Sequence, residues 1–349
     1  MKQHLTLISG LILCLPFTTQ IAHAESEKEA TVHRGINAKP ITLTPPRYPQ
    51  SELRDKRQGW VELSYVVTAD GKVIDPVIED SSGSKAFEKQ ALRTVTEWTY
   101  EPATWDGEPV QQCETQMRLV FALEGAGTGV TKRYRRRHNR ISKIIDSGDY
   151  DEAQKLINNY RDNNNMSLSE TSWLWTLQTR LSGLVGDKKQ QLAAVRKATE
   201  SSSWVDKKLY PDLLLVRTAL ELEEGNFAQA IRNHEALRKA KADHPKLKVI
   251  EPHITTIKEK VAGDTILQTK AEIGENDNWY YRPLRRKFSI ADLDGELRDI
   301  EFRCSWQRTV TKAEEGTSWS LPKDWGDCSI YVFGEPGTTF NLLEIPEEA

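Results

Sequence analysis

The stretch from Pro45 to Leu123 constrains this chain most, because its turn signals and apolar periods fix one compact βαβ-type module. Pro45-Pro46-Arg47-Tyr48-Pro49 opens it in extended form, and Pro49 keeps Tyr48 out of the helical region. Gln50 to Lys56 reads as a short helix. Trp60 to Thr68 alternates, with Trp60, Glu62, Ser64 and Val66 on one face and Val61, Leu63, Tyr65 and Val67 on the other. Asp70-Gly71 is a hairpin turn. Lys72 to Glu79 returns as a strand, and Pro76, lacking an amide donor, marks an edge or a bulge. Ser84 is placed to cap a helix whose stripe is Phe87, Ala91, Leu92, Val95 and Trp98. Glu114 to Leu123 alternates again as the last strand. One helix on a three-stranded antiparallel sheet suffices for a small core.

Beyond this module the character changes twice. Gly125, Gly127 and Gly129 mark a boundary, and residues 130–265 read as helical hairpins. Gly148-Asp149-Tyr150-Asp151-Glu152-Ala153 recurs as Gly225-Asn226-Phe227-Ala228-Gln229-Ala230, with Gly186-Asp187 between, at spacings of 38 and 39 residues. Each Gly-Asp or Gly-Asn pair can end one helix and cap the next. A period near forty residues implies stacked hairpins, whose concave face is a candidate partner surface. Trp173, Trp175 and Trp204 either line it or pack in the core. Residues 270–349 read as short strands between turns such as Asp294-Gly295 and Gly334-Glu335-Pro336-Gly337, a small β domain expected to be a sandwich. The expected fold class is therefore multidomain α+β: a small sheet with one packed helix, a helical repeat array and a C-terminal β domain.

The N-terminus reads as an export signal over 1–24: Lys2, the apolar run Leu5 to Phe17, and Ala22-His23-Ala24 as a cleavage site. The run is shorter than the ~20 residues of a membrane span. An uncleaved inner-membrane anchor is the alternative. The expected location is periplasmic, with 25–44 as a flexible lead-in and 45–124 as the first domain. Without the leader the chain has 47 basic and 51 acidic residues, which argues against a general nucleic-acid binder. Export permits disulfides. Cys304 and Cys328 share the C-terminal region, 24 residues apart, and are expected to pair, a closure worth about 3 kcal/mol in the chain-entropy picture. Cys113 is then free.

Catalytic and cofactor chemistry finds no constellation. The histidines are scattered, and His234, His244 and His253 lack the i, i+4 spacing of metal ligands. Ser82-Gly83-Ser84-Lys85 fits S-x-x-K without its partner motifs and reads as a helix cap. Asp292-Leu293-Asp294-Gly295 is too short for a calcium loop. The expectation is no enzyme, no cofactor and no metal. The run Lys132-Arg133-Tyr134-Arg135-Arg136-Arg137-His138, extending to Arg140, is either the solvated face of the first repeat helix or a contact for anionic lipid headgroups or an acidic partner.

The first domain resembles the C-terminal domain of the TonB family. The motifs are Pro46-Arg47-Tyr48-Pro49, Gly59-Trp60-Val61, Asp70-Gly71, Ser81-Ser82-Gly83, Trp98-Thr99-Tyr100-Glu101-Pro102-Ala103 and Gly107-Glu108-Pro109-Val110. The Gly-x-Tyr-x-x-Ala run at 148–153 resembles tetratricopeptide repeats in degenerate form. The TonB resemblance implies a protein-binding module that captures an extended segment of an envelope partner, such as an outer-membrane receptor, in energy-coupled transport. It implies pairing along Thr115, Gln116, Met117, Arg118, Leu119, Val120 and Phe121, with Arg47, Tyr48 and Pro49 beside the contact; the alternative for Tyr48 and Pro49 is a packed extended segment that fixes the chain's entry. Backbone pairing needs an open sheet edge and no strict side-chain code. Two features depart from the family: an N-terminal apolar segment expected to be removed on export rather than kept as an anchor, and one proline in 25–44 in place of a long proline-rich spacer. The alternative is a structural or assembly adaptor whose edge is covered by its own C-terminal sheet or by a second copy in a homodimer.

Overall fold

The computed structural model describes residues 35–123, 129–162, 166–241, 243–245 and 247–346, and these belong to one compact unit. The leader, residues 25–34 of the lead-in, and Gly125 and Gly127 of the boundary lie outside the described residues. Among the described residues, no helix is long and apolar enough to cross a membrane. The chain is mixed α and β.

The N-terminal part runs β1 (Gly35–Ile36), β2 (Lys39–Thr42), α1 (Gln50–Arg54), β3 (Gly59–Val67), β4 (Val73–Ser81), α2 (Lys85–Val95), β5 (Thr99–Glu101), β6 (Ala103–Trp105), β7 (Glu108–Val110) and β8 (Gln112–Phe121). The main sheet has the order β4-β3-β8, antiparallel throughout. Strands β4 and β8 therefore run the same way on either side of β3, with α2 as the crossover. Val61, Leu63, Tyr65 and Val67 of β3 meet Phe87, Ala91 and Val95 of α2 and Leu119 and Phe121 of β8 in one core. Ser84 caps α2 by accepting from the Phe87 amide. The hairpin turn needs Gly71: its φ is +78°, and a Cβ there would lie 2.0 Å from the Tyr100 carbonyl oxygen. Pro76 lies on the edge strand β4 beside a bulge, where Asp75 takes φ +48° and the register slips between Ser64 and Val66.

The lead-in is a correction. Residues 35–42, expected to be flexible, form β1 and β2, which pair with β6 and β5. The segment that follows α2 offers them an open edge. Two long-range bonds hold this arrangement: Ala38 N–H donates to Gln112 Oε1 at 2.8 Å, and Trp98 Nε1 donates to the Thr44 carbonyl at 2.9 Å.

Seven helices follow: α3 (Lys132–Asp146), α4 (Tyr150–Asp162), α5 (Leu168–Val185), α6 (Lys188–Ala198), α7 (Tyr210–Glu223), α8 (Phe227–Ala240) and α9 (Leu247–Ala262). The first six form three hairpins, and each tip holds one of the repeated glycines. Gly148, Gly186 and Gly225 have φ of +83°, +79° and +78°, the left-handed turn that ends a helix. Asp149 and Asp187 then accept from the amides of Glu152 and Gln190 and start the next helix. Asn226 differs, since its side chain donates to Glu221 instead.

The C-terminal part holds β9 (Leu267–Glu272), β10 (Asn278–Tyr281), β11 (Lys287–Asp294), β12 (Leu297–Cys304), β13 (Arg308–Lys312), β14 (Ser318–Ser320), β15 (Cys328–Gly334) and β16 (Thr339–Ile345). They make two sheets, β10-β15-β12-β13 and β14-β11-β16-β9. Phe302, Ile330 and Val332 of the first meet Phe288, Phe340 and Leu342 of the second in a sandwich core. Cys304 and Cys328 face each other on β12 and β15 and are joined by a disulfide, while Cys113 is free and buried.

Candidate partner-binding edge

Strand β8 lies at the margin of its sheet, and among the described residues it pairs with β3 alone. Its one further main-chain bond is at its start, where Cys113 N–H donates to the Ser305 carbonyl at 3.2 Å. The sandwich therefore reaches the margin at Cys113, and from Glu114 to Phe121 no second strand is seated among the described residues.

The side chains of β8 are employed inside the molecule. Met117, Leu119 and Phe121 face α2 and its core. Thr115 Oγ1 accepts from Gln112 Nε2 at 2.9 Å. On the other face, Gln116 Nε2 donates to Glu79 Oε2 at 2.7 Å and to Tyr280 Oη at 2.9 Å, while Arg282 Nη2 donates to Gln116 Oε1 at 2.7 Å and Glu114 Oε1 at 2.8 Å. Arg118 Nη1 donates to the Glu200 carbonyl at 2.6 Å, pairs with Glu62 through Nη2, and lies 4.5 Å over the Trp60 ring. Val120 alone of the 115–121 segment is well exposed, at 44%.

Of the three residues expected beside the contact, Arg47 is exposed, whereas Tyr48 and Pro49 are half-buried. The Tyr48 ring meets Phe87 and Phe121 edge-on at 5.6 and 6.1 Å, and its hydroxyl donates to the Arg57 carbonyl. Burial, aided by the nearby Glu52 carboxylate, pushes its phenol up. Tyr48 thus fixes the chain's entry at the end of β8, and Pro49 precedes the first turn of α1.

The second face of the sheet is covered, which sequence reasoning missed. Ser64 of β3 is fully buried; Tyr331 Oη lies 2.7 Å from its Oγ and Arg303 Nη1 donates to it at 3.2 Å. Arg303 also donates to Glu301 at 2.6 Å and sits over the Tyr331 ring. Burial pushes the Glu79 carboxyl up, although Tyr331 and Gln116 donate to it. Glu200, beside Arg118, is pushed up to about 8 by burial, with the Asp80 charge adding to it. The available signal was the polar alternation Glu114-Gln116-Arg118 opposite Glu62 and Ser64, a second polar face on a buried strand.

Two of the three tryptophans singled out in the repeats, Trp175 and Trp204, turn toward the first domain. They line a cleft of about 610 Å³ whose opposite wall includes Trp60 and residues 81–87. Trp173 is partly buried against the core of the first hairpin. Among the described residues, no group of three or more His, Cys, Asp or Glu is placed to hold a metal ion.

Residues 44–123 match the family described as Gram-negative bacterial TonB protein C-terminal. This segment is a TonB C-terminal domain. The TonB protein of Pseudomonas aeruginosa is 28% identical over 86 residues, covering 25% of this chain and 25% of that protein. The TonB protein of Vibrio cholerae serotype O1 is 29% identical over 101 residues, covering 26% of this chain and 41% of that protein. The chain thus spans a quarter to two-fifths of the length of these relatives. The solution NMR structure of the Pseudomonas aeruginosa TonB CTD overlays at 23% identity and TM-score 0.23, covering 26% of this chain and 91% of that one. A structure of the tonb2 protein from Vibrio anguillarum overlays at 21% identity and TM-score 0.21, covering 35% and 98%. The matched 80 residues contain the sheet β4-β3-β8 and α2; the helical hairpins and the sandwich lie beyond them.

Proposed function

We propose that this chain is a TonB-like protein-binding module of the bacterial envelope, not an enzyme, in which an extended segment of a partner pairs with the outer margin of β8. The observation that carries this reading is the division of labour in β8: its side chains are spent on internal contacts while its outer main chain has no strand partner among the described residues from Glu114 on. A fourth strand added there extends β4-β3-β8, and main-chain bonds supply affinity without a side-chain code. Residues 115–121 form the pairing strand, and Arg47 lies exposed where Tyr48 docks onto Phe121. An outer-membrane receptor is the partner class that the family match supports, and the periplasm is the compartment. A role in energised transport rests on the same ground. The repeats and the sandwich brace the sheet from behind.

The test places a photo-reactive amino acid at Val120 in the whole protein, in envelope preparations and with receptor-derived extended peptides. The expected result is a crosslink to a receptor segment and slowed amide exchange at 115–121 when peptide is added. Outward-facing amides of 115–121, those not bonded to β3, already protected in the isolated monomer and unchanged by peptide at millimolar concentration overturn the reading. Protection that appears only with a doubled solution mass assigns the edge to a second copy.

A further inference from the structure

We infer that the outward face of α3 is a docking surface for anionic phospholipid. Its fifteen residues carry Lys132, Arg133, Arg135, Arg136, Arg137, Arg140 and Lys143 against one acid, Asp146, in a chain whose net charge is −3. Tyr134, Ile141 and Ile145 are buried and define the face turned to the protein. At about 100° per residue, Lys132, Lys143, Arg136, Arg140 and Arg133 fall within an arc of about 100° on the opposite side. All five are exposed, as is Arg135. Among the described residues none of these six has a carboxylate within ion-pair distance; Asp146 is taken by Arg180, and Arg137 lies over the Tyr160 ring.

A solvated cap of a helical array needs only polarity, and mixed signs supply that at no electrostatic cost. This helix instead works against itself. Its first turn holds no acid and three cations, Lys132, Arg133 and Arg135, at the positive end of the helix dipole. Lys132, Arg136 and Arg140 repeat at i, i+4, as do Arg133 and Arg137, a spacing at which like charges repel. The Glu170 carboxylate, bonded to the N-cap Thr131, offsets the cost at the dipole end alone, and the like-charge repulsion left along the exposed face points to an external partner. Planar guanidinium groups bind phosphate through paired donors. The chemistry of the face favours a lipid plane over an acidic protein: the cores of protein interfaces are enriched in aromatic and apolar anchors, and no exposed large apolar residue lies on α3. The cations instead spread over about 16 Å of helix, which suits adsorption to a sheet of headgroups. This inference stands apart from strand pairing at β8.

The test is sedimentation of the purified full chain with vesicles of phosphatidylglycerol in phosphatidylethanolamine, and with vesicles of phosphatidylcholine alone. The expected result is binding to the anionic vesicles at low salt, at least about tenfold weaker on neutral ones, and lost near about 0.5 M salt. Arg133→Gln, Arg136→Gln, Arg140→Gln and Lys143→Gln combined abolish it with unchanged circular dichroism. Should the fourfold variant misfold, the pair Arg136→Gln and Arg140→Gln is expected to lower binding at least about threefold. The N-terminal segment is common to wild type and variants, so the difference reads α3. Wild type left in the supernatant with anionic vesicles overturns the inference, as does equal binding by the variants. Variant-sensitive retention on immobilised polyaspartate without vesicle binding overturns it in favour of an acidic protein.

Discussion

Tyr331 of the sandwich places its hydroxyl oxygen 2.5 Å from Oε1 of Glu79 on the TonB sheet, across 252 residues of chain. The same oxygen lies 2.7 Å from Ser64 Oγ. A polar layer of Glu79, Gln116, Tyr280 and Arg282 continues from this contact along the second face of the sheet. Strand β3 is consequently buried on both faces, one by α2 and one by the sandwich. What remains to the sheet for outside use is its two margins, and of these β4 is bulged and carries Pro76 while β8 is regular from Thr115 to Phe121.

Tyr331→Phe removes one of two donors from a carboxyl that burial has already pushed toward its neutral form, and Gln116 Nε2 remains. Loss of one such hydrogen bond costs about 0.5–1.5 kcal/mol. Urea unfolding is expected to show a midpoint lowered by that amount. Glu79→Gln in the Tyr331→Phe background is expected to recover part of the loss, because a neutral amide tolerates the site better than a carboxylate.

Glu200 sets a pH dependence. Its carboxyl is pushed up to about 8 by burial, then by the Asp80 charge, while Lys197, Arg118 and a bond from Trp60 oppose the shift. A raised acid binds its proton more tightly in the folded state. Its contribution is present in full below the ordinary carboxylate value and lost as pH rises through about 8. Stability measured between about pH 5 and about pH 9 is expected to fall by on the order of 1–3 kcal/mol, discounted for partial solvent screening. Glu200→Gln should flatten that slope. An unchanged slope assigns it to other groups.

What the sequence made legible is what is local. The stripe Phe87, Ala91 and Val95, the Ser84 cap, the Asp70-Gly71 hairpin and the Gly-Asp tips at 148 and 186 each depend on neighbours within a few residues, and each stands where the pattern put it. Pro76 announced the bulged edge because a missing donor restricts where a strand residue can sit. Strands β1 and β2 were illegible because they are short, exposed and held by partners more than fifty residues away. Gln116 and Arg118 illustrate the same limit at the candidate site. Alternation shows that they share a face, but not that Glu79, Tyr280, Arg282 and Glu200 wait opposite.

The disulfide ties facing positions of two central strands, Cys304 on β12 and Cys328 on β15. Replacing both by alanine is expected to lower unfolding free energy by about 2–4 kcal/mol, chiefly by releasing the 24-residue loop in the unfolded chain. Calorimetry of the oxidised, reduced and double-alanine proteins checks this, and the last two should agree. Cys113 supplies an internal control. Burial pushes its thiol up to about 11, against the pull of Arg308 and Arg303, so it should resist a thiol reagent near neutral pH until the protein unfolds.

Tyr48 separates an anchoring role from a partner-contact role. Its ring is wedged edge-on against Phe87 and Phe121, which themselves stack at 4.4 Å, and its hydroxyl is bound to the Arg57 carbonyl. Tyr48→Phe keeps the wedge and loses one hydrogen bond, an expected cost of about 0.5–1.5 kcal/mol. Tyr48→Ala loses the wedge as well, and about 2–4 kcal/mol is expected, since the ring is half-buried. Peptide capture at β8 should survive Tyr48→Phe and weaken in Tyr48→Ala only in proportion to the disorder introduced around Phe121. Arg47→Ala, at an exposed position, should leave stability unchanged. If Tyr48→Phe abolishes capture while leaving the unfolding midpoint where it was, the hydroxyl belongs to the partner and the anchoring account fails.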